Sequence, residues 1–263
     1  MAFPGFHALR PDFEARLAEE RAAHPPRALP PLTEADLASL PPPVVRFLRR
    51  SGAVGRPRVD RVRVEWGARM WRRPGGAPMD APAVQHSWFG ERPARLFFMT
   101  ARMLGLPVQV FHDYRGAEAS MRVRVAALVD AANVSGEVLS RGETVTILND
   151  MCFLAPASLV DPRLEWAPVD DRLARVTFRN GPHAVRAELV FDADGALVNF
   201  FSDDRPALVD GKLLPYRWST PIADYREVDG RLLPRTGRAV YAYPEGDFTY
   251  GDFEVRGLAY EDV

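Results

Sequence analysis

Cysteine, lysine and long apolar runs are almost or entirely missing from this chain of 263 residues. The single cysteine, Cys152, excludes an intrachain disulfide and a metal site built from several thiolates. No apolar run reaches the length of about 18 residues that predicts a membrane-spanning helix. Lys212 is the single lysine. Because 34 basic residues face 35 acidic ones, no global field favours nucleic acid as a partner.

Short motifs for targeting, cofactors and metals are missing as well. Residues 1–7 lack the basic segment and apolar stretch of a signal peptide, so we expect a cytoplasmic protein. No GxGxxG, Walker A or GxSxG pattern supports dinucleotide, phosphate-loop or hydrolase chemistry. The five histidines have no spacing that places two ligands on one face. We therefore predict neither a cofactor nor a metal.

Helical patterns are confined largely to the first fifty residues. Residues 12–23 are rich in helix formers and end before two prolines. Residues 33–40 begin with a Thr-x-x-Asp cap pattern, and residues 44–50 place three apolar side chains on one face. We expect residues 1–27 to be a helical appendage, and residues 28–263 to form a single β domain on which the third helix packs.

From about residue 59 the apolar period changes from 3.6 to two, which is typical of strands with one buried face. The alternation is clearest in residues 61–66, 121–125, 174–179 and 185–189. Short turn sequences separate these segments, and connections this short favour antiparallel hairpins. One helix interrupts the strands. A capping-box pattern from Ser140 to Glu143 and helical apolar spacing predict it over residues 143–153.

These patterns predict a mainly β (α+β) fold: a single curved antiparallel sheet, or half-barrel, with an inserted helix and N-terminal helices. Residues 96–111 break the alternation, because their strands are apolar on both faces. One interpretation covers one side of these strands with helices and the other with the core. The alternative is that one face lines an apolar cavity.

Two polar clusters and several aromatic residues are candidates for a ligand site. Asn149 and Asp150 lie near the end of the predicted helix, where they form either an internal polar clamp or one wall of a pocket. Asp203 and Arg205 follow an apolar strand, and the consecutive carboxylates Asp203 and Asp204 point to opposite faces, so at most one faces a cavity. The alternative there is a strand-end salt bridge to Arg205 or Arg217. The aromatic side chains are either core residues or pocket walls. The remaining candidates for ligand contact are Trp88, Phe98, Trp218 and Tyr225.

Several segments resemble an uncharacterised bacterial family with a domain of unknown function. The resemblance covers roughly residues 40–260, and its most specific parts are the helix around residues 142–157 and the run at residues 199–205. It carries no activity with it. It implies a fold of the lipoprotein-carrier (LolA/LolB-like) type, an antiparallel half-barrel whose concave face is plugged by helices. Many relatives begin with membrane-spanning segments, and this chain departs from that pattern.

Three functions are compatible with the sequence. The favoured one is non-catalytic binding of an apolar or amphipathic, lipid-like small molecule in the half-barrel. The second is an enzyme that uses Asp150 or Asp203 as acid and base, with Arg205 or His86 nearby. The third is an interaction or scaffold domain, in which the N-terminal helix contacts a partner or a second copy of the chain.

Overall fold

The computed structural model describes residues 8–209 and 211–261. The α-helices in this part of the chain are α1 (Arg10–Ala23), α2 (Pro42–Arg50) and α3 (Glu137–Leu154), with 3-10 helices at Glu34–Leu37 and Pro156–Val160. No helix among these residues is long and apolar enough to cross a membrane.

Strands occupy most of the chain after α2. In chain order they are β1 (Arg61–Met70), β2 (Met79–Asp80), β3 (Ala83–Trp88), β4 (Ala94–Met103), β5 (Leu106–Arg115), β6 (Glu118–Val125), β7 (Val129–Ser135), β8 (Leu164–Pro168), β9 (Leu173–Asn180), β10 (His183–Phe191), β11 (Leu197–Ser202), β12 (Ala207–Val209), β13 (Lys212–Leu214), β14 (Arg217–Ser219), β15 (Ile222–Val228), β16 (Arg231–Tyr243) and β17 (Gly246–Tyr260).

One antiparallel sheet contains every strand of the described residues except β12 and β13, which form a separate hairpin. Its main path runs β7-β6-β5-β4-β3-β1-β17-β16-β14-β11-β10-β9-β8, while β2 pairs with β1 and β15 with β16. The sheet curves but does not close into a barrel. This confirms the predicted fold class. The four alternating segments lie in β1, β6, β9 and β10, as the period of two predicts.

Helix α3 lies inside the curve of the sheet. It contacts β6 and β7 on one side and β10 and β16 on the other. Nearly all of its side chains are buried, which explains why its apolar residues do not form a single stripe. The predicted start at residue 143 is wrong, because the helix begins at Glu137. Ser140 does not cap it; its Oγ accepts a hydrogen bond from the backbone N–H of Ala119, 2.9 Å away.

The two N-terminal helices pack in different places. Helix α2 joins the main core through Val44, Phe47 and Leu48, as predicted. The residues expected to form a helix between α1 and α2 make only a 3-10 turn, which Thr33 and Asp36 cap reciprocally.

Helix α1 lies on the outer, convex face of the sheet. Its Phe13 side chain is 2 % exposed and packs on Phe98 and Phe111, with ring centroids 5.3 and 5.6 Å away. Together with Leu9, Trp88 and other apolar side chains, these rings form a second cluster separate from the main core. The outer cluster consists of Leu9, Phe13, Trp88, Ala94, Leu96, Phe98 and Phe111.

Strand β4 explains the stretch that is apolar on both faces. Leu96 and Phe98 belong to the outer cluster under α1, whereas Phe97 and Met99 face the concave side and line a cavity. Both interpretations of the pattern therefore hold, one for each face. Leu104 is a different case: it occupies the β4–β5 turn with a φ of 51° and is 97 % exposed.

Candidate functional site

A cavity of about 490 Å³ lies between α3 and the concave face of the sheet. Apolar and aromatic side chains from both halves of the sheet form most of its lining. The β4–β6 side contributes Phe97, Met99, Val110 and Met121, and α3 contributes Phe153. The volume and the apolar lining are those of a typical small-molecule pocket.

The first polar group in this cavity is an ion pair between Asp150 of α3 and Arg95 of β4. Arg95 Nε donates to Asp150 Oδ2 over 2.9 Å, and Gln85 Nε2 donates to the same oxygen over 2.7 Å. Trp66 Nε1 donates to Gln85 Oε1 over 3.1 Å. Burial raises the pKa of Asp150 to about 6, although Arg95 and Gln85 oppose that shift.

The second polar group is centred on Glu143, two helical turns before Asp150. Arg205 Nη2 and His112 Nδ1 each lie 3.5 Å from Glu143 Oε1, and Arg95 Nη1 lies 3.5 Å from Oε2. Burial alone would raise the pKa of Glu143, but these three neighbours outweigh it and lower the pKa to about 2. The carboxylate is therefore ionised at neutral pH.

Arg205 connects Glu143 to an aromatic wall. Its guanidinium donates to the hydroxyls of Thr146, Tyr241 and Tyr250. It also stacks 4.5 Å above the ring of Trp218, whose Nε1 donates to Tyr250 Oη over 3.0 Å. The contacts fix the guanidinium at the cavity surface and satisfy several of its donors.

Asn149 completes the polar surface of α3. Its Nδ2 donates to Thr220 Oγ1 over 2.7 Å, and both residues line the cavity. Within the polar patch the charged side chains are two arginines, Arg95 and Arg205, and two carboxylates, Glu143 and Asp150, whereas Arg72 and Arg238, which also line the cavity, are exposed. The arrangement is thus an apolar chamber with a self-neutralising polar patch on one wall.

The structure brings four of the eight predicted site residues together at this cavity: Asn149, Asp150, Arg205 and Trp218. Trp88 and Phe98 lie instead in the outer cluster, because they sit at the alternate positions of β3 and β4 that face α1.

The remaining two predicted residues are also away from the cavity lining. The side chain of Asp203 is 73 % exposed and lies 3.4 Å from Arg217. Tyr225 is half-buried, and its hydroxyl donates to the carbonyl of Leu197 over 2.7 Å. Asp150 and Asp203 are therefore not close together. His86 is also away from Asp150, because the His86 ring lies on the outer face of the sheet beside Phe13.

Sequence reasoning missed Glu143, Arg95, Gln85 and His112. Glu143 could have been found, because a spacing of seven residues places it on the same helix face as Asp150. Arg95 and Phe97 alternate along β4, so they share a face. Nothing in the sequence shows that β4 faces α3, because that depends on the order of strands in the sheet.

A thiol nucleophile or a metal ion would each support a different chemistry. Cys152 is fully buried, and burial raises its pKa well above the usual range, so it is no nucleophile. Across the described residues, no three His, Cys, Asp or Glu side chains are grouped to hold a metal ion.

Several solved structures are similar to this chain. One is a DUF1329 family protein from Desulfovibrio piger, with a TM-score of 0.44 and 16 % identity over 83 % of this chain and 90 % of that one. Another is a LolA superfamily protein from Nitrosomonas europaea, with a TM-score of 0.44 and 12 % identity over 82 % of this chain and 92 % of that one.

No curated protein matches the chain. A family model does match it, over residues 30–253, which include α2, α3 and the sheet up to β17 but leave α1 outside. The matched part contains every residue of the polar patch described above. The chain accordingly belongs to DUF6544, a family of unknown function.

Proposed function

We propose that this protein binds an apolar or amphipathic, lipid-like small molecule in the cavity between α3 and the concave face of the sheet, without catalysing a reaction. The observation that carries the proposal is the cavity itself: about 490 Å³, lined mainly by apolar side chains on rigid strands. A preformed apolar chamber favours an apolar ligand because binding removes apolar surface from water on both sides.

The polar patch supports binding over catalysis. Asp150 Oδ2 already accepts two hydrogen bonds, and the lowered pKa of Glu143, about 2, makes its carboxylate a weak base. A general base works best when its pKa lies near the working pH and its oxygen is free to take a substrate proton. The acid–base alternative depends on Asp150 alone, whose raised pKa of about 6 is the observation in its favour. The version with Asp203 loses its support because that side chain points to solvent.

The proposal is tested by native mass spectrometry of gently purified protein, before and after organic extraction. We expect a bound species of lipid-like mass that extraction removes. Purified protein should then rebind a long-chain alkyl probe with an environment-sensitive fluorophore. An apo mass together with no binding of the probe would contradict the proposal.

Two adjacent positions of β4 provide a matched pair of variants. Met99→Trp places extra volume in the cavity, whereas Thr100→Trp places it on the other face of the same strand. We expect Met99→Trp to reduce probe binding at least about tenfold, which is about 1.4 kcal/mol, and Thr100→Trp to leave it unchanged. Equal loss in both variants would count against the cavity as the binding site.

A further inference from the structure

The polar patch also indicates which head group the ligand carries, an inference that rests on the proposed function. The relevant residue is Glu143, whose side chain is 4 % exposed and lines the cavity. Its Oε2 accepts no hydrogen bond from the described residues. The nitrogens around the carboxylate, those of Arg95, Arg205 and His112, are no closer than 3.5 Å. An ionised carboxylate held in this way lacks the donors that such a buried group normally has.

Glu143 Oε2 is completely enclosed by protein atoms, whereas Oε1 is the oxygen with access to the cavity. Asn149 lies less than two turns further along α3, and its amide nitrogen is already used by Thr220. The Oδ1 atom of Asn149 is therefore left as a second acceptor on the same helix. Two acceptors on one wall favour a ligand that donates hydrogen bonds.

The charge of the head group distinguishes the classes of hydrogen-bond donor that could bind here. Arg95 and Arg205 balance Asp150 and Glu143 within the patch, through contacts of 2.9 and 3.5 Å. A charged head group buried at Glu143 would have no unpaired counter-charge within the patch, since Arg72 and Arg238 of the cavity lining are exposed, and desolvating an unpaired ion is strongly unfavourable. An alkylammonium would in addition lie beside two guanidinium groups, and a carboxylate or phosphate beside Glu143.

A hydroxyl group meets these conditions. It donates one hydrogen bond and accepts others, so it can donate to Glu143 Oε1 while accepting from the guanidinium of Arg205. It is also neutral, so its desolvation is inexpensive once these bonds form. We infer that the ligand is a neutral amphiphile with a hydroxyl-bearing head group at Glu143 and an apolar chain directed toward Met99 and Val110.

The test is a competition experiment with the fluorescent alkyl probe at about pH 8, above the range in which imidazoles ordinarily titrate. The competitors share one saturated chain length and end in a primary alcohol, a carboxylate, an ammonium group or a methyl ester. We expect the alcohol to bind at least about tenfold more tightly than the two ions. Binding of the carboxylate or ammonium as tightly as the alcohol would overturn the head-group assignment.

Substitution of Glu143 should invert the preference. Glu143→Gln keeps the side-chain shape but removes one negative charge, so the patch becomes net positive. We expect the carboxylate competitor then to bind more tightly than the alcohol. Glu137→Gln is the matched control on the exposed first turn of α3, and it should keep the preference of the unsubstituted protein.

The outcomes separate this inference from the proposed function. Equal binding of all four competitors would retain the cavity as an apolar site and overturn the head-group assignment alone. Binding of none of them, with no displacement of the probe, would overturn both. If Glu143→Gln retains the circular dichroism spectrum and the alcohol preference of the unsubstituted protein, the role of Glu143 is overturned.

Discussion

The two faces of strands β3–β5 differ in composition, although they alternate along the same residues. On the convex face, Leu96, Phe98 and Phe111 pack against α1 in a dry cluster. On the concave face, Gln85, Arg95 and His112 alternate with apolar residues and line a cavity. Both faces bury charged side chains, among them Glu20 and Asp113 beside α1, but the convex face is filled by the chain's own helix whereas the concave face keeps unfilled volume. The concave face is therefore the one that has room for a ligand.

The comparison also bears on how each face is stabilised. The outer cluster depends on apolar burial, which needs no directional partners. The concave face includes buried ions, which are stable only when each has a partner. Substitutions on the two faces should therefore act through different physical effects.

Arg95→Leu is expected to cause the largest loss of stability. Asp150 would remain buried without its ion pair, and breaking such a pair costs about 3–5 kcal/mol. Chemical denaturation monitored by circular dichroism measures the change. Arg63→Leu on β1 is the matched control, because that arginine is 41 % exposed and its ion pair with Glu65 contributes little. A loss below about 1 kcal/mol for Arg95→Leu would contradict this account of the concave face.

Phe13→Ala should cause the second largest loss of stability. It removes a ring that is 2 % exposed from the convex face, and Phe-to-Ala changes of this kind cost about 3 kcal/mol or more. The exposed Glu14 on the same helix provides the control, Glu14→Ala. We expect the fluorescent alkyl probe to bind Phe13→Ala with unchanged affinity. A large loss of probe affinity would show that the two faces are not separate.

The sequence predicted the strands that carry both faces, but it did not predict which face lies against α1. Alternation identified the strands, and the helix α3 was found within six residues of its true start. Periodicity could also show that residues 96–99 are apolar on both sides. It could not show which alternate set faces α1, because strand order and the docking of a helix are decided by long-range packing.

The same limit explains the candidate residues. Asn149 and Asp150 were found because they lie on a helix otherwise composed of apolar residues, and such buried polar groups stand out in a pattern. Trp88 and Phe98 are aromatic residues of predicted strands, and the register of β3 and β4 turns both toward α1. Arg95 was missed because a single arginine before an apolar run looks like an ordinary exposed strand residue.

The pH dependence of stability distinguishes the two carboxylates of the concave face. The raised pKa of Asp150, about 6, means that the folded protein holds this proton more tightly than the unfolded chain does. Its contribution to stability is complete below about pH 4, where unfolded aspartates titrate, and is lost as the pH rises through about 6. For Glu143, with a pKa of about 2, the contribution is present above about pH 4.3 and lost as the pH falls.

Urea unfolding at a series of pH values tests both signs. Asp150→Asn should remove the decline in stability between about pH 4 and 7, because the titrating group is gone. Glu143→Gln should weaken the decline below about pH 4 and also reduce the decline at higher pH, because the Glu143 charge helps to raise the pKa of Asp150. An Asp150→Asn protein with the same pH profile as the unsubstituted one would show that Asp150 is not the group responsible.

Asp203→Ala should have the smallest effect. The side chain is 73 % exposed, and its contact with Arg217 is 3.4 Å long, so the stability change should stay within about 0.5 kcal/mol. Probe binding should also be unchanged. A clear loss of binding in this variant, measured by the same fluorescence titration, would return Asp203 to the list of site residues.

A crystal structure with a long-chain alcohol that carries bromine at the end of its chain would show directly whether the cavity binds such a ligand. Anomalous scattering locates the bromine independently of the protein atoms. We expect bromine inside the cavity near Met99 and Val110, with the hydroxyl at Glu143 and α1 still covering Phe98. Bromine on the convex face in place of α1, or no bromine in the cavity at saturating alcohol, would contradict it.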